Sequence, residues 1–115
     1  MHELGIVFHI IKEVKAVAAQ NACSKVSKVV MDIGEVSTVV PYYLEDCWKW
    51  AVAREDSLMK DCRLEVNVLE AVTRCDACSK EYSTVKHAKI CPYCGSEETF
   101  LLRGNEVEIK EIEVE

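Results

Sequence analysis

Two pairs of cysteines constrain this chain more than any other feature of its sequence. Cys75 and Cys78 are separated by two residues, as are Cys91 and Cys94, and twelve residues lie between the pairs. Four thiolates at this spacing can converge tetrahedrally on one ion, and soft sulfur ligands favour Zn(II) or iron over Mg(II) or Ca(II). A shell closed by four cysteines leaves no position for water or substrate, so the pattern indicates a structural zinc site rather than a hydrolytic one.

A single redox iron is the alternative occupant of these cysteines, as in a rubredoxin-like electron carrier. The segment Cys-Pro-Tyr-Cys-Gly suits either metal, because Pro92 is rigid and Gly95 tolerates the positive φ of a tight turn. The short loop between the pairs favours zinc, as does the limited aromatic shielding, which comes chiefly from Tyr82 and Tyr93. Zinc is therefore the first interpretation and iron the second.

The remaining cysteines, Cys23, Cys47 and Cys62, are isolated in the sequence. A free cysteine behaves as a small hydrophobic residue, so we expect all three to fill the core, with Cys47 on the inward face of a helix. Seven cysteines in a chain without a recognisable secretion signal are better explained by metal binding than by disulfides. The sequence thus predicts a protein of the reducing cytoplasm.

Hydrophobic periodicity predicts two helices. Residues 3–20 form an amphipathic pattern, with an inward stripe of Leu4, Val7, Phe8, Ile11, Val14 and Ala18. The second helix begins at Pro41, whose fixed φ suits the first helical position. Its predicted inward residues are Leu44, Cys47, Trp48, Ala51 and Val52.

Strand patterns separate and follow these helices. The predicted strands cover residues 25–34, 63–72, 99–102 and 107–114. Gly34 ends the first strand, Gly104-Asn105 joins the last two, and a change of phase predicts a bulge near Lys110-Glu111. The fold class is α+β, with two helices packed on a small mixed β-sheet and an inserted zinc-ribbon-like module. We expect residues 1–73 and 99–115 to form the main domain and residues 74–98 the module.

The overall charge excludes one class of partner. The 115 residues include 14 Lys and Arg against 20 Asp and Glu, which gives a net charge of -6. Non-specific nucleic-acid affinity depends on cationic side chains that displace counterions, so we expect no nucleic-acid binding, although a zinc-ribbon interaction module remains an alternative function. No apolar run approaches the roughly 20 residues that span a bilayer, so we expect no membrane partner.

The first residues form a candidate chelate for a second metal. The α-amine of Met1 and the amide and imidazole nitrogens of His2 can bind one ion in a plane, which is the geometry that Ni(II) or Cu(II) prefers. A histidine at this position also occurs by chance, as an exposed residue before a helix whose Glu3 favours the helix N-terminus electrostatically. His9 is expected on the helix surface or at the edge of the core.

The start MHEL, the segment DIGEVS, the two cysteine pairs and the closing EVEIKEIEVE together resemble the HypA/HybF family of hydrogenase nickel-insertion proteins. The resemblance runs from end to end. It implies a metallochaperone without intrinsic catalysis that binds Ni(II) as transient cargo through Met1, His2 and Glu3, with Glu3 as a ligand or a positioning group. It also implies structural Zn(II) on the four cysteines.

The same resemblance implies partners and leaves one ligand open. The expected partners are a HypB-type GTPase, the precursor of the nickel-iron hydrogenase large subunit and, in some members, a urease accessory protein; a homodimer is left open. Many family members carry an acidic side chain where this chain has Val40. The fourth in-plane nickel donor is therefore unassigned, with His87, a Glu3 group or water as candidates.

Overall fold

The computed structural model describes residues 3–115, in which helices and strands are interleaved. The elements are α1 (Glu3–Gln20), β1 (Val26–Gly34), α2 (Pro41–Val52), β2 (Arg63–Leu69), β3 (Val72–Cys75), β4 (Glu81–Ser83), α3 (Thr84–His87), β5 (Thr99–Arg103) and β6 (Val107–Val114). The strands form two three-stranded sheets, in the orders β2-β1-β6 and β4-β3-β5. The α+β class is confirmed. Over the described range, no helix has both the length and the apolarity needed to cross a membrane.

The chain divides into two compact units. The first takes in the chain up to Asp32 together with Val39–Asn67 and Glu108–Glu115, and the second comprises Ile33–Thr38 and Val68–Val107. The second unit contains the proposed module of residues 74–98 and extends beyond it on both sides.

Helix α1 has the predicted length but buries a different stripe. Its buried residues are Ile6, Val7, Ile10, Ile11, Val14 and Ala18. Leu4 and Phe8, which were predicted to face inward, are exposed, and the Phe8 ring instead meets the edge of Trp50 on α2 at a centroid distance of 6.5 Å. The first half of α1 is apolar on several sides, so periodicity alone could not choose the face that packs.

Helix α2 begins at Pro41 as predicted and anchors the first unit through Trp48. This side chain is buried, and its indole N–H donates a hydrogen bond of 2.7 Å to the carbonyl of Cys62. A buried indole is tolerated because its one polar group is paired in this way. Cys47 is only partly buried, which corrects the prediction that it lies on the inward face.

The strand predicted for residues 63–72 is divided between the two sheets. β2 ends at Leu69, and β3 begins at Val72 in the other sheet. At the break, the N–H of Ala71 donates to a carboxylate oxygen of Glu35 at 3.1 Å, and the Ala71 carbonyl accepts from the N–H of Thr84 at 3.1 Å. These bonds satisfy backbone groups that the ladder no longer pairs, so the chain can change sheets here.

The last two strands are joined at Gly104-Asn105, as predicted, but belong to different sheets. β5 pairs antiparallel with β3, with Thr73 opposite Leu101, whereas β6 lies beside β1. Gly104 has a φ of 120°, in the positive range that glycine adopts readily because it has no Cβ atom. After Ile109 the half-buried positions of β6 are Ile112 and Glu113, whereas Val114, which the change of phase would have turned inward with Ile112, is exposed. The bulge near Lys110-Glu111 stays a prediction.

Candidate metal centre

The two cysteine pairs occupy two turns with the same backbone hydrogen bonds. In the first turn, the N–H of Cys75 donates to the carbonyl of residue 80 and the carbonyl of Cys75 accepts from the N–H of Ser79, both at 2.9 Å. In the second, the N–H of Cys91 donates to the carbonyl of residue 96 at 3.0 Å and its carbonyl accepts from the N–H of Gly95 at 2.9 Å. Each turn thus curls around its own pair of sulfurs.

Both turns place one residue at positive φ, four positions after the first cysteine. Gly95 has a φ of 76°, as its sequence context predicted, and Ser79 has a φ of 63° at the equivalent position of the first turn. Serine carries a Cβ atom that makes this region unfavourable. Sequence reasoning missed Ser79, although the matching spacing within the two turns is a signal that could have indicated it.

The four thiol groups converge on one point. The Sγ atoms of Cys75 and Cys94 are 3.6 Å apart, as are those of Cys78 and Cys91. All four sulfur atoms lie within 4.8 Å of one another. In a tetrahedral tetrathiolate site with zinc–sulfur bonds of about 2.3 Å, neighbouring sulfur atoms are about 3.8 Å apart. The donor set and its spacing therefore fit a tetrahedral Zn(II).

The surroundings of the sulfur atoms shift the thiol pKa values of Cys91 and Cys94 in opposite directions. Burial acts to raise the pKa of Cys91, but the N–H groups of Tyr93 and Cys94 and the neighbouring thiols together lower that pKa to about 7. The N–H of Ser96 acts to lower the pKa of Cys94, yet hydrogen bonds with the other thiols and burial raise it to about 12. Backbone N–H donors thus favour the thiolate form of Cys91. Because the sulfur atoms are close together, several thiolates at once repel one another unless a cation balances their charge.

Packing shields one side of the sulfur cluster. Cys75 and Cys91 are buried with Tyr82, whereas Cys94 is exposed. The hydroxyl of Tyr82 donates to the carbonyl of Ala88 at 2.9 Å, which fixes the ring beside the sulfurs. Tyr93, the other predicted shielding residue, is exposed. The Lys80 ammonium lies over its ring, with the Nζ atom 4.7 Å from the ring centroid.

His87 is an exposed residue at the end of the short helix α3. Its ring meets the Tyr82 ring edge-on, with centroids 5.9 Å apart. His9 lies on the surface of α1, where its Nε2 atom is 3.0 Å from a carboxylate oxygen of Glu13. The expected surface position of His9 is confirmed, and a nickel role for His87 stays a proposal.

Of the three predicted nickel-binding residues, Glu3 is described, and Met1 and His2 lie outside the described residues. Glu3 is the first residue of α1, and its carboxylate Oε2 accepts a hydrogen bond from the N–H of Val40 at 3.5 Å. Val40 precedes α2 as its N-cap. No sequence pattern indicated this bond, because it joins residues far apart in the chain.

The other cysteines differ in exposure. Cys62 is buried, as predicted, and burial raises the pKa of its thiol to about 11. Cys23 and Cys47 are partly buried. Among the described His, Cys, Asp and Glu residues, Cys75, Cys78, Cys91 and Cys94 are the group close enough to share one metal ion.

The chain combines two helices and a three-stranded sheet with a second unit that carries the paired cysteine turns. This combination defines a small α+β metal-binding protein with a zinc-ribbon-like module. A family model described as "HypA: Hydrogenase/urease nickel incorporation, metallochaperone, hypA" matches residues 1–114. The chain therefore belongs to the HypA family of nickel-incorporation metallochaperones, and the resemblance found in the sequence is confirmed.

Individual relatives agree with the family model over the whole chain. The hydrogenase maturation factor HybF of Klebsiella pneumoniae is 30% identical over 115 residues, which cover 100% of both chains. The hydrogenase maturation factor HypA of Trichodesmium erythraeum is 33% identical over 116 residues, which cover 100% of this chain and 96% of that one.

The fold also matches a solved structure. The solution structure of the Ni metallochaperone HypA from Helicobacter pylori aligns with a TM-score of 0.69 and 25% sequence identity. The alignment covers 99% of this chain and 97% of that chain. The architecture is thus shared from end to end.

Proposed function

We propose that this chain binds Ni(II) as cargo through Met1, His2 and Glu3, with Glu3 as a ligand or a positioning group, and delivers the metal to the large subunit of a nickel-iron hydrogenase during maturation, or to urease. The observation that carries the proposal is the family match over residues 1–114, a range that includes Met1, His2 and Glu3. Amine, amide and imidazole nitrogens in sequence supply three donors in one plane, which suits Ni(II).

The two metals have different roles in this proposal. The N-terminal chelate is open, so protonation or ligand exchange can dismantle it and release nickel. Cys75, Cys78, Cys91 and Cys94 form a closed shell that would hold Zn(II) permanently and tie the two cysteine turns together. Nickel is therefore transferred and zinc retained, and the protein acts by carriage rather than by catalysis.

The proposed setting follows from the same role. The protein works in the cytoplasm with a HypB-type GTPase and the hydrogenase large-subunit precursor, and a urease accessory protein is a further candidate recipient. Its net charge of -6 opposes binding to nucleic acid. His87 remains a candidate for the fourth in-plane nickel donor.

A nickel titration of untagged protein tests the N-terminal site. The parent is compared with His2→Ala and with a variant that carries an added N-terminal Gly-Ser, and binding is followed by the visible absorption of planar Ni(II). His9→Ala is the matched control, because His9 is an exposed histidine of α1 that pairs with Glu13. We expect both N-terminal changes to weaken binding by at least about tenfold, as loss of ligands does. Parent-like binding by both would refute the site.

The fourth donor is tested separately with His87→Ala. If His87 completes the plane, this change shifts the absorption band of bound nickel, because an imidazole is replaced by water. An unchanged band assigns the fourth position to another group, while leaving the N-terminal site intact.

A further inference from the structure

An exposed aromatic pair lies on the first unit, where α1 packs against α2. Phe8 of α1 and Trp50 of α2 are 50% and 47% exposed, and their rings meet edge to face with centroids 6.5 Å apart. Neither residue belongs to the buried stripe of its helix. Single apolar side chains are common on protein surfaces, but two large rings that meet in the open mark a candidate interaction surface.

Arg54 lies over the face of the same indole ring. Its guanidinium carbon is 4.1 Å from the Trp50 ring centroid, and its Nη1 atom donates a hydrogen bond of 2.8 Å to the Trp50 carbonyl. These two contacts restrict both side chains, so less rotamer entropy is lost when a partner covers them. Trp and Arg are also among the residue types that most often dominate the binding energy of protein interfaces.

The charges around the aromatic pair are mostly positive. Lys12 and Lys15 lie four and seven positions after Phe8, which places them on the same side of α1. Lys15 forms an ion pair with Glu55. Among the described residues, no carboxylate forms an ion pair with Lys12 or Arg54. This local excess of cations contrasts with the net charge of -6, so the surface is complementary to an acidic partner.

We propose that Phe8, Trp50 and Arg54, with Lys12 at their edge, form a docking surface for an acidic amphipathic helix of a partner protein. Apolar side chains of the partner helix cover the two rings, and its flanking Asp or Glu side chains pair with Lys12 and Arg54. A helix suits this surface because two packed helices leave a groove along which a third can lie. The surface contains none of the proposed nickel or zinc ligands, so the inference goes beyond the proposed function.

The charges argue against two other occupants. Single-stranded nucleic acid also stacks on aromatic rings, but the net charge of -6 repels its long phosphate backbone. In a symmetric dimer the surface would face itself and bring the Lys12 and Arg54 cations of two copies together. A short acidic helix meets the local cations alone, because charges farther than about 8 Å away are largely screened at physiological ionic strength.

Two synthetic peptides of about 18 residues, long enough for five helical turns, test the surface on the full chain. Both carry Leu at positions i, i+3, i+4 and i+7, with Glu on the flanks of one peptide and Lys on the flanks of the other. Binding is followed by amide and indole signals in nitrogen-15 NMR spectra. We expect the acidic peptide to bind at least about tenfold more tightly than the basic one and to shift the Trp50 indole signal. Its affinity should fall as NaCl is raised from about 0.05 to 0.5 M.

Truncation of the rings tests the apolar part of the surface. Trp50→Ala should weaken binding of the acidic peptide by at least about tenfold, and Phe8→Ala on the other helix should act in the same direction. Tyr42→Ala is the matched control, because Tyr42 is an exposed aromatic residue of α2 whose ring instead contacts Tyr43. Circular dichroism and zinc content establish that each variant is folded.

A reversal of charge tests the choice of partner. Arg54→Glu should weaken binding of the acidic peptide by at least about tenfold and strengthen binding of the basic one. Lys49→Glu makes the same change of charge on α2, but Lys49 lines a cavity with Trp48 and Cys62 instead of bordering the aromatic pair. We expect this control to keep the peptide preference of the parent.

Several results would overturn the inference. These are failure of the acidic peptide to bind, equal affinity for the two peptides, or parent-like binding by both Trp50→Ala and Arg54→Glu. Tighter binding of an oligothymidylate of about 15 nucleotides would assign the surface to nucleic acid. Self-association in sedimentation that Trp50→Ala abolishes would assign it to a second copy. None of these results affects the nickel titration, so failure of this inference is distinguishable from failure of the proposed function.

Discussion

The α-carbon of Gly34 packs so closely against Gly104 that a Cβ atom at position 34 would lie 2.0 Å from the Gly104 carbonyl oxygen. The same carbonyl accepts a hydrogen bond of 2.8 Å from the N–H of Val36, and the N–H of Gly34 donates to the carbonyl of Glu106 at 2.7 Å. Because Gly34 has no Cβ atom, the two backbone segments of the second unit approach closely enough to bond directly.

Gly34→Ala should destabilise the protein, because the clash is with backbone that cannot turn aside as a flexible side chain can. We expect a loss of about 3 kcal/mol in the free energy of unfolding, at the upper end of overpacking effects. Urea unfolding followed by circular dichroism measures it. Gly5→Ala is the matched control, because a Cβ there meets nothing within 4 Å and alanine suits the interior of α1. That control should gain about 0.5–1 kcal/mol. Equal stabilities of the two variants would contradict the packing argument.

The paired turns predict opposite effects at two equivalent positions. Ser79 and Gly95 both have positive φ, which costs a residue with a Cβ about 1–2 kcal/mol. Ser79→Gly should therefore raise the temperature at which zinc is released to a chromogenic chelator, and Gly95→Ala should lower it. A drop in this temperature for both variants would show that the Ser79 side chain is needed for something other than backbone conformation.

Removal of zinc should affect one part of the chain. Cys91→Ala deletes a buried sulfur of the cluster, so we expect loss of zinc and of amide protection in residues 74–98 while α1 remains protected. Hydrogen exchange measured residue by residue separates this outcome from global unfolding, which would contradict the expectation that zinc supports residues 74–98 alone. Cys23→Ala, outside the cluster, is the control and should keep its zinc.

Cys62 should make stability depend on alkaline pH. Burial raises the pKa of its thiol to about 11 from an ordinary value of 9.0. Between these values the unfolded chain loses a proton that the folded chain keeps, so this contribution to stability is present below pH 9 and declines up to about pH 11.

The free energy of unfolding should therefore fall more steeply from pH 9 to 11 in the parent than in Cys62→Ala. Urea unfolding at several pH values gives both slopes, and the comparison cancels the titration of lysines and tyrosines. Alkylation is an independent check, because Cys62 should react with iodoacetamide more slowly than the partly exposed Cys23 and Cys47. Parallel slopes with equal alkylation rates would refute the buried thiol.

Much of this protein could be predicted from the sequence where local chemistry decides the outcome. Pro41 begins α2 because its ring fixes φ, and Gly95 takes positive φ because it has no Cβ atom. The cysteine spacing indicated one site because two turns of this length each present a pair of sulfurs. Their convergence within 4.8 Å is what that chemistry requires.

Only the tertiary structure decided between faces, sheets and distant partners. Ile6 and Ile10 are buried in place of Leu4 and Phe8 because packing selects one face of a helix that is apolar on several sides. The strand pattern of residues 63–72 did not reveal the change of sheet at Ala71, because an apolar sequence does not specify which sheet a strand joins. The bond from Val40 to Glu3 joins positions 37 residues apart, and no local pattern encodes it. The sequence by itself thus determined the elements and the candidate ligands, whereas long-range packing determined which surfaces meet and how Glu3 is held.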